Sequence, residues 1–142
     1  MNTQKLNSRL SILVVLAAIT TLAPAVHAAE FSVVEASIPE MQAALRDGRV
    51  TSRELVTQYL TRIAMYENTL NAAISVNSKA LEMADALDRE RAAGQLRGPL
   101  HGIPIAGKDN IHTTDLPTTA GTLALDGFIP PYEATLVENL RA

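Results

Sequence analysis

The sequence predicts an α/β fold in which helices dominate, and only part of such a fold. Two segments have apolar residues at helical spacing behind capping signals, two short apolar runs suit β-strands, and glycine and proline recur from Gly94 to Pro131. Two strands and three or four helices do not make a self-sufficient sheet, because a strand pair is marginal without further neighbours. We therefore expect the 142 residues to be a piece of a larger α/β unit, with at most one domain.

The first 28 residues have the pattern of a signal peptide. Lys5 and Arg9 form a positive start, a mostly apolar run follows, and the small residues at two positions of Val26-His-Ala28 suit a cleavage site. A membrane anchor is the alternative, but the 14-residue apolar run spans only about 21 Å as a helix, less than the hydrocarbon core of roughly 30 Å. The sequence thus predicts a periplasmic or secreted protein, residues 29–142, with no stable membrane span after cleavage.

Two helices with capping boxes are predicted next. Ser37-Ile-Pro-Glu40 places a hydroxyl at the N-cap and a glutamate three residues later, and Gly48 suits the C-terminal cap. Thr51-Ser-Arg-Glu54 repeats this signal, and the helix that it starts is expected to end at Asn68 or Asn71. The apolar positions at helical spacing are Met41, Ala44 and Leu45 in the first helix and Leu55, Val56, Tyr59, Leu60 and Ile63 in the second.

A short buried strand and a third helix are predicted after that. The run Leu70–Val76 is apolar and contains β-branched residues, which favour strands. Asn77 or Ser78 is then expected to cap a helix that runs to about Ala93 and stops at Gly94. Its expected buried positions are Ala80, Leu81, Ala84 and Leu87, and its expected water-facing positions are Asp85, Asp88, Arg89, Glu90 and Arg91.

A second strand and a last helix complete the prediction. Ile103–Ala106 is a short apolar run that leads to Lys108. Glu133–Ala142 starts a helix with an apolar side. The residues of that side are Leu136, Val137 and Leu140.

Composition excludes several classes of function. Lys and Arg number 12 against 15 Asp and Glu, with no basic run, so no nucleic-acid partner is expected. Cysteine is absent, which excludes disulfides and thiol chemistry. His101 and His112 have no third ligand at a recognised metal-binding spacing, so we expect them to face solvent or pack in loops and expect neither metal nor cofactor. Glu82, Asp85 and Asp88 are interpreted as a solvated helix face.

Lys108 is the one candidate for a catalytic residue. A lysine at the mouth of a buried strand can be desolvated, and burial lowers a lysine pKa by up to about 3–5 units. A neutral amine of this kind can act as a general base. The neighbouring Asp109-Asn110 equally suits an exposed lysine in a turn. From the residues alone, both interpretations stay open.

Residues 99–111, Pro-Leu-His-Gly-Ile-Pro-Ile-Ala-Gly-Lys-Asp-Asn-Ile, closely resemble the first conserved block of the amidase-signature family. The Leu-Pro-Thr-Thr-Ala-Gly run at 116–121 resembles the continuation of that block, and the likeness extends over nearly all of residues 35–142. It implies that residues 29–142 are the truncated N-terminal part of an amidase domain, with the α/β/α mixed-sheet fold of that family.

The resemblance also implies a chemistry, the hydrolysis of a carboxamide C–N bond by a Ser-cisSer-Lys triad. In that triad a lysine takes the proton of a serine on a cis peptide. That serine in turn takes the proton of the nucleophilic serine. Lys108 is the position that matches the lysine. In the family both serines lie in a later glycine- and serine-rich segment, so we expect the 142-residue chain alone to be inactive. The serines after the signal segment are Ser32, Ser37, Ser52, Ser75 and Ser78.

Two positions depart from the family pattern. Gly107 stands where a branched aliphatic residue is usual, and is expected to weaken the strand and leave a small void beside Lys108. Thr122 stands where serine is common and retains a hydroxyl. The expected substrate is a small-molecule or peptide amide. The alternatives are a protein like the A-type chain of an amidotransferase, which the signal segment disfavours, and a non-catalytic exported binding fragment.

Overall fold

The computed structural model describes residues 31–142, in which helices are joined by long irregular segments. The signal-peptide prediction for residues 1–28 lies outside the described residues. The helices are α1 (Ile38–Arg46), α2 (Ser52–Leu70), α3 (Ala80–Ala92) and α4 (Thr135–Arg141), with a 3₁₀ turn at Leu123–Leu125.

Both predicted capping boxes are confirmed. The Ser37 hydroxyl accepts the N–H of Glu40, and the Glu40 carboxylate accepts the N–H of Ser37 at 2.8 Å. Thr51 and Glu54 make the same reciprocal pair at the start of α2. Of the two predicted ends of α2, Asn71 is the correct one, because its left-handed backbone (φ 48°) terminates the helix.

The hydrophobic core is small and lies between α1 and the first turns of α2. Ile103 reaches it from the segment that precedes Lys108, so this packing anchors the approach to the candidate site. The buried members are Val33, Met41, Ala44, Leu45, Val50, Leu55 and Ile103, and the partly buried residues packed on them are Phe31, Ala36, Tyr59 and Leu100.

The two strand predictions are wrong. Leu70 is the last residue of α2, and the segment behind it is irregular, with Ile74 66% exposed and Val76 46% exposed. Residues 103–106 are irregular as well. A strand requires a neighbour for its backbone hydrogen bonds, and residues 31–142 contain no strand at all. This part of the chain is therefore helical, and the predicted mixed sheet is not visible in it.

The start of α3 also differs from the prediction. Its N-cap is Lys79, which makes no capping hydrogen bond through its side chain. Neither Asn77 nor Ser78 is the cap, although the Asn77 side chain accepts the N–H of Lys79 at 2.9 Å in the turn before the helix. Of the four positions expected to be buried, Ala84 is buried and the other three are partly exposed.

Two of the three acidic residues of α3 that were interpreted as a solvated face, Asp85 and Asp88, hold the start of α2, whereas Glu82 is exposed as expected. The Asp88 carboxylate accepts the N–H groups of Ser52 at 2.8 Å and Arg53 at 3.0 Å, and Asp85 pairs with the Arg53 guanidinium. The first N–H groups of a helix have no partner within the helix, and a carboxylate there also meets the positive end of the helix dipole. This contact makes α2 and α3 one packed unit.

Helix α4 is confirmed, and it begins two residues after the predicted start. Its Arg141 guanidinium contacts Asp115 at 3.0 Å and Glu133 at 3.0 Å, which ties the helix to the loop before it. Leu136 (55% exposed) and Leu140 (37% exposed) do not bury the predicted apolar side. None of the helices described between residues 31 and 142 is long and apolar enough to cross a membrane.

Candidate functional site

Lys108 lies in an exposed turn that follows the Ile103 anchor. Its carbonyl accepts the N–H of Ile111 at 2.9 Å, which closes the turn. The expectation of a buried strand around the lysine is wrong for this part of the chain, because no neighbouring strand covers the segment. The expected void at Gly107 is wrong for the same reason: Gly107 is exposed, and an added Cβ would meet nothing within 4 Å.

Asp109 connects this turn to the Thr-Thr-Ala-Gly segment through a set of contacts that we call the Asp109–Thr119 clasp. Its Oδ1 accepts the N–H of Thr119 at 2.9 Å, and its Oδ2 accepts the Thr119 hydroxyl. Its carbonyl accepts the N–H of Ala120 at 2.9 Å. The Thr119 hydroxyl, and then the Thr119 N–H, hold the pKa of Asp109 below its usual value. The two motifs that are separate in sequence are thus one structural unit.

The turn after Thr119 is built from two consecutive left-handed residues. Ala120 has φ 50° and Gly121 has φ 73°. The Gly121 N–H donates to the Thr119 hydroxyl oxygen at 3.1 Å, and the Thr122 N–H donates to the Thr119 carbonyl at 2.9 Å. The hydroxyl that Thr122 retains accepts the N–H of Ala124 at 3.3 Å and caps the 3₁₀ turn. Threonine therefore supplies the same local hydrogen bond that serine could supply.

A loop rich in aromatic side chains supports the far side of the site. The buried Thr118 donates its N–H to the Phe128 carbonyl at 2.8 Å. The His112 ring meets Phe128 and Tyr132 edge-on, with ring centroids 6.3 Å and 5.0 Å apart. The His112 carbonyl accepts the Ala134 N–H at 3.0 Å. His112 thus packs in a loop, as one of its two interpretations predicted.

His101 is buried, with 6% of its surface exposed, so its loop-packing interpretation is confirmed and the solvent-facing one is wrong. Its Nε2 lies 2.9 Å from the Leu87 carbonyl, and its Nδ1 accepts the Arg97 N–H at 3.3 Å, a pattern that fits the neutral Nε2–H tautomer. The pKa of Glu90 is lowered, chiefly by its hydrogen bond with the Arg97 guanidinium. Within the described residues no group of three His, Cys, Asp or Glu could hold a metal ion.

Gly102 fixes the approach to the site against helix α2. Its φ is 82°, and an added Cβ would overlap Ser52 Oγ and lie 3.2 Å from Ser52 Cβ. The neighbouring His101 carbonyl accepts a hydrogen bond from the Arg91 guanidinium at 2.7 Å. Residues 101–103 therefore lie directly on α2 and α3, and a side chain at position 102 would require Ser52 to shift. In the sequence, the only sign of this contact was the glycine that directly follows His101.

The serines among the described residues serve local structure or lie on the surface. Ser37 caps α1, Ser52 is fully buried in the first turn of α2, and the Ser32 hydroxyl oxygen accepts the Val34 N–H at 3.2 Å. Ser75 and Ser78 are exposed in the irregular segment between α2 and α3. Of the triad that the resemblance implied, this part of the chain holds the lysine position.

Comparison with known proteins finds amidases and A-type chains of amidotransferases. The family described as Amidase matches residues 54–142. The A-type chain of the glutamyl-tRNA(Gln) amidotransferase of Thermobifida fusca is 44% identical over 106 residues, 74% of this chain and 21% of that protein. A putative amidase of Schizosaccharomyces pombe is 39% identical over 123 residues, 86% of this chain and 21% of that protein.

Solved structures give the same result. The native peptide amidase of Stenotrophomonas maltophilia superposes with a TM-score of 0.73 and 46% identity, over 76% of this chain and 23% of that protein. An amidase family protein of Bacillus anthracis superposes with a TM-score of 0.71 and 38% identity, over 77% of this chain and 22% of that protein. The chain thus spans about a fifth of the length of the relatives that it matches.

Proposed function

Because the chain belongs to the amidase family, we propose that the protein containing it hydrolyses the C–N bond of a carboxamide, with Lys108 as the general base. One observation carries the proposal. Lys108 is exposed in a turn whose backbone the Asp109–Thr119 clasp fixes, within a segment of the chain that is 46% identical to a peptide amidase. An accessible amine on a fixed backbone is what a proton-transfer group requires.

The proposed reaction uses Lys108 together with two serines outside residues 31–142. The neutral amine takes the proton of one serine hydroxyl, and that serine takes the proton of the nucleophilic serine as it attacks the carbonyl carbon. The proton held by Lys108 then returns to the nitrogen of the leaving group, which departs as ammonia or an amine, and water hydrolyses the acyl-enzyme. The proposal that this chain by itself does not catalyse is supported by the places of its described serines: Ser37 caps α1, Ser52 is buried, and Ser32, Ser75 and Ser78 are exposed in irregular segments.

The substrate that we propose is a small-molecule or peptide amide. The similarity to a peptide amidase supports it, since the fold and more than two fifths of the residues agree over 76% of the chain. The test is to express the protein from its complete gene and to measure ammonia release from peptide amides and from aliphatic and aryl amides. Release from at least one class supports the proposal, and no release from any class contradicts it.

Amide transfer is a second candidate, because the A-type chain of a glutamyl-tRNA(Gln) amidotransferase is 44% identical over 74% of the chain. The two candidates differ in the acceptor of the released nitrogen. A hydrolase releases free ammonia without RNA, whereas a transferase forms a new amide on glutamyl-tRNA(Gln). Transfer without free hydrolysis of peptide amides would replace the first proposal with this one.

We also propose that the protein is exported and cleaved after Ala28. The support is the charged start, apolar run and cleavage motif of its first 28 residues. Mass spectrometry of the protein purified from its native cell tests this. A mature N-terminus at Ala29 in the periplasmic or secreted fraction is expected, and intact Met1 in the cytosolic fraction would contradict it.

A further inference from the structure

We propose that Asp109 is a positioning residue for Lys108, held by Thr119 so that it fixes the backbone of the turn and keeps its own carboxylate away from the amine. This inference rests on the proposed function, in which Lys108 is the base. It adds a role for two residues that do not touch the reacting atoms.

Asp109 makes three hydrogen bonds to the segment that follows Thr118. Both carboxylate oxygens and the main-chain carbonyl accept hydrogen bonds, and all three donors come from Thr119 and Ala120. The Ile111 N–H closes the turn on the Lys108 carbonyl at 2.9 Å. The backbone of Lys108 is therefore held on its C-terminal side, although its side chain is exposed.

The segment that supplies these donors, residues 118–122, is itself held by several hydrogen bonds. Ala120 has a left-handed φ of 50°, which costs an alanine free energy and persists only where surrounding contacts enforce it. The Thr119 hydroxyl donates to Asp109 while it accepts the Gly121 N–H at 3.1 Å. Buried Thr118 attaches the same segment to the Phe128 carbonyl at 2.8 Å. Asp109 is thus bonded to a turn that is itself held by hydrogen bonds.

The clasp also keeps the charge of the Asp109 carboxylate from pairing with the Lys108 amine. An ion pair between Lys108 and the adjacent carboxylate would favour the charged ammonium, whereas a base must be the neutral amine. No ion pair within 4.0 Å joins these two side chains in the described part of the chain, because the carboxylate is directed to Thr119. No other charged side chain between residues 31 and 142 bonds to the turn or to residues 118–122.

The state of the clasp at neutral pH follows from its hydrogen bonds. The Thr119 hydroxyl and N–H lower the pKa of Asp109, so the carboxylate is charged and the clasp is closed at any pH above about 4. Titration of Asp109 therefore cannot produce a change in rate near neutral or alkaline pH.

The experiment uses the protein expressed from its complete gene and an amide that it hydrolyses. Thr119→Val removes the hydroxyl and keeps the shape of the side chain. We expect kcat to fall about 10–100-fold with KM changed less than about threefold, because the amine is misplaced after substrate is bound. We also expect the ascending limb of the kcat/KM profile, where the base loses its proton, to move up by about half to one pH unit, because the released carboxylate can pair with Lys108.

Two further variants separate positioning from general damage to the structure. Thr119→Ser keeps the hydroxyl, so it should restore both kcat and the pH profile. Asp109→Asn removes the charge, so it should lower kcat without moving the ascending limb upward. The matched control is Thr114→Val, which removes an exposed hydroxyl that donates to Glu133 at 3.3 Å, and it should match the wild type.

The outcomes distinguish this inference from the proposed function. If Lys108→Ala hydrolyses the amide at the wild-type rate, the proposed function fails. If Lys108→Ala is inactive while Thr119→Val keeps the wild-type kcat and pH profile, the inference is overturned and the function stands. A lower kcat in Thr119→Val with an unmoved ascending limb also overturns it, since that result shows a structural contact alone. If Thr119→Val fails to fold, Thr119→Ala, which removes the same hydroxyl, decides by the same two readouts.

Discussion

Replacing Gly102 by alanine should destabilise the protein more than any other glycine-to-alanine change between residues 31 and 142. Gly102 has φ 82°, and an added Cβ would overlap Ser52 Oγ and lie 3.2 Å from Ser52 Cβ. Ser52 is fully buried in the first turn of α2, where Asp88 holds its N–H at 2.8 Å, so its Cβ cannot move aside easily even when its hydroxyl rotates. The other described glycines have no atom within 4 Å of an added Cβ.

Two terms give the magnitude. A left-handed backbone costs alanine about 1–2 kcal/mol, and overpacking a closely packed contact costs typically about 1–3 kcal/mol. The loss in free energy of unfolding should therefore be about 2–5 kcal/mol, a large part of the roughly 5–15 kcal/mol typical of a domain. Urea denaturation of the protein expressed from its complete gene measures it as a lower midpoint. Gly98→Ala is the control, since its Cβ meets open space at an ordinary φ, and it should change the free energy of unfolding by less than about 1 kcal/mol.

A double mutant tests the mechanism. Ser52→Ala removes the oxygen that the new Cβ would overlap, so with Gly102→Ala it should restore about 1–2 kcal/mol and leave the backbone cost in place. Alone it should be nearly neutral, because Ser52 Oγ is buried without a hydrogen-bond partner in the described structure. Additive losses in the double mutant, or a Gly102→Ala midpoint equal to that of Gly98→Ala, would refute the steric reasoning.

The remaining predictions concern three polar contacts. Asp88→Ala should cost about 1–3 kcal/mol of unfolding free energy, measured by urea denaturation, because two N–H groups at the start of α2 lose their acceptor. His101→Phe should cost about 1–3 kcal/mol by the same measurement, because the Arg97 N–H loses its acceptor and the buried bond to the Leu87 carbonyl is lost; an unchanged midpoint would contradict this. The folded-state pKa of Asp109 is lowered, so its contribution to stability is present above about pH 3.9, the unfolded value, and is lost as pH falls through the folded value. The protection of the Thr119 N–H from hydrogen exchange, relative to the intrinsic rate at the same pH, should therefore fall only in acid.

The parts of the fold that were predictable from the sequence are those with short-range causes. The capping boxes at Ser37 and Thr51 join residues three apart, so the order of residues alone determines them. The apolar stripe of α1 is buried as its spacing predicts. The family block at Lys108 was likewise contained in one continuous run of residues.

The parts that were not predictable depend on distant partners. Asp88 looks like a solvated charge by helical spacing, and only the packing of α3 on α2 shows that it caps a helix 36 residues away. The run at Leu70–Val76 has the composition of a strand but no strand beside it in this part of the chain. The bond from Asp109 to Thr119 spans 10 residues and depends on a left-handed turn at Ala120, which residue preferences do not predict for alanine.

The most direct test of the central claim is amide hydrolysis by the Lys108→Ala variant in the protein expressed from its complete gene, with and without an added primary alkylamine. If Lys108 is the general base, kcat should fall about 10²–10⁴-fold, and the amine should restore part of the loss. Lys79→Ala, which removes an exposed lysine at the start of α3, should retain the wild-type rate. A Lys108→Ala variant that hydrolyses the amide as fast as the wild type would contradict the account.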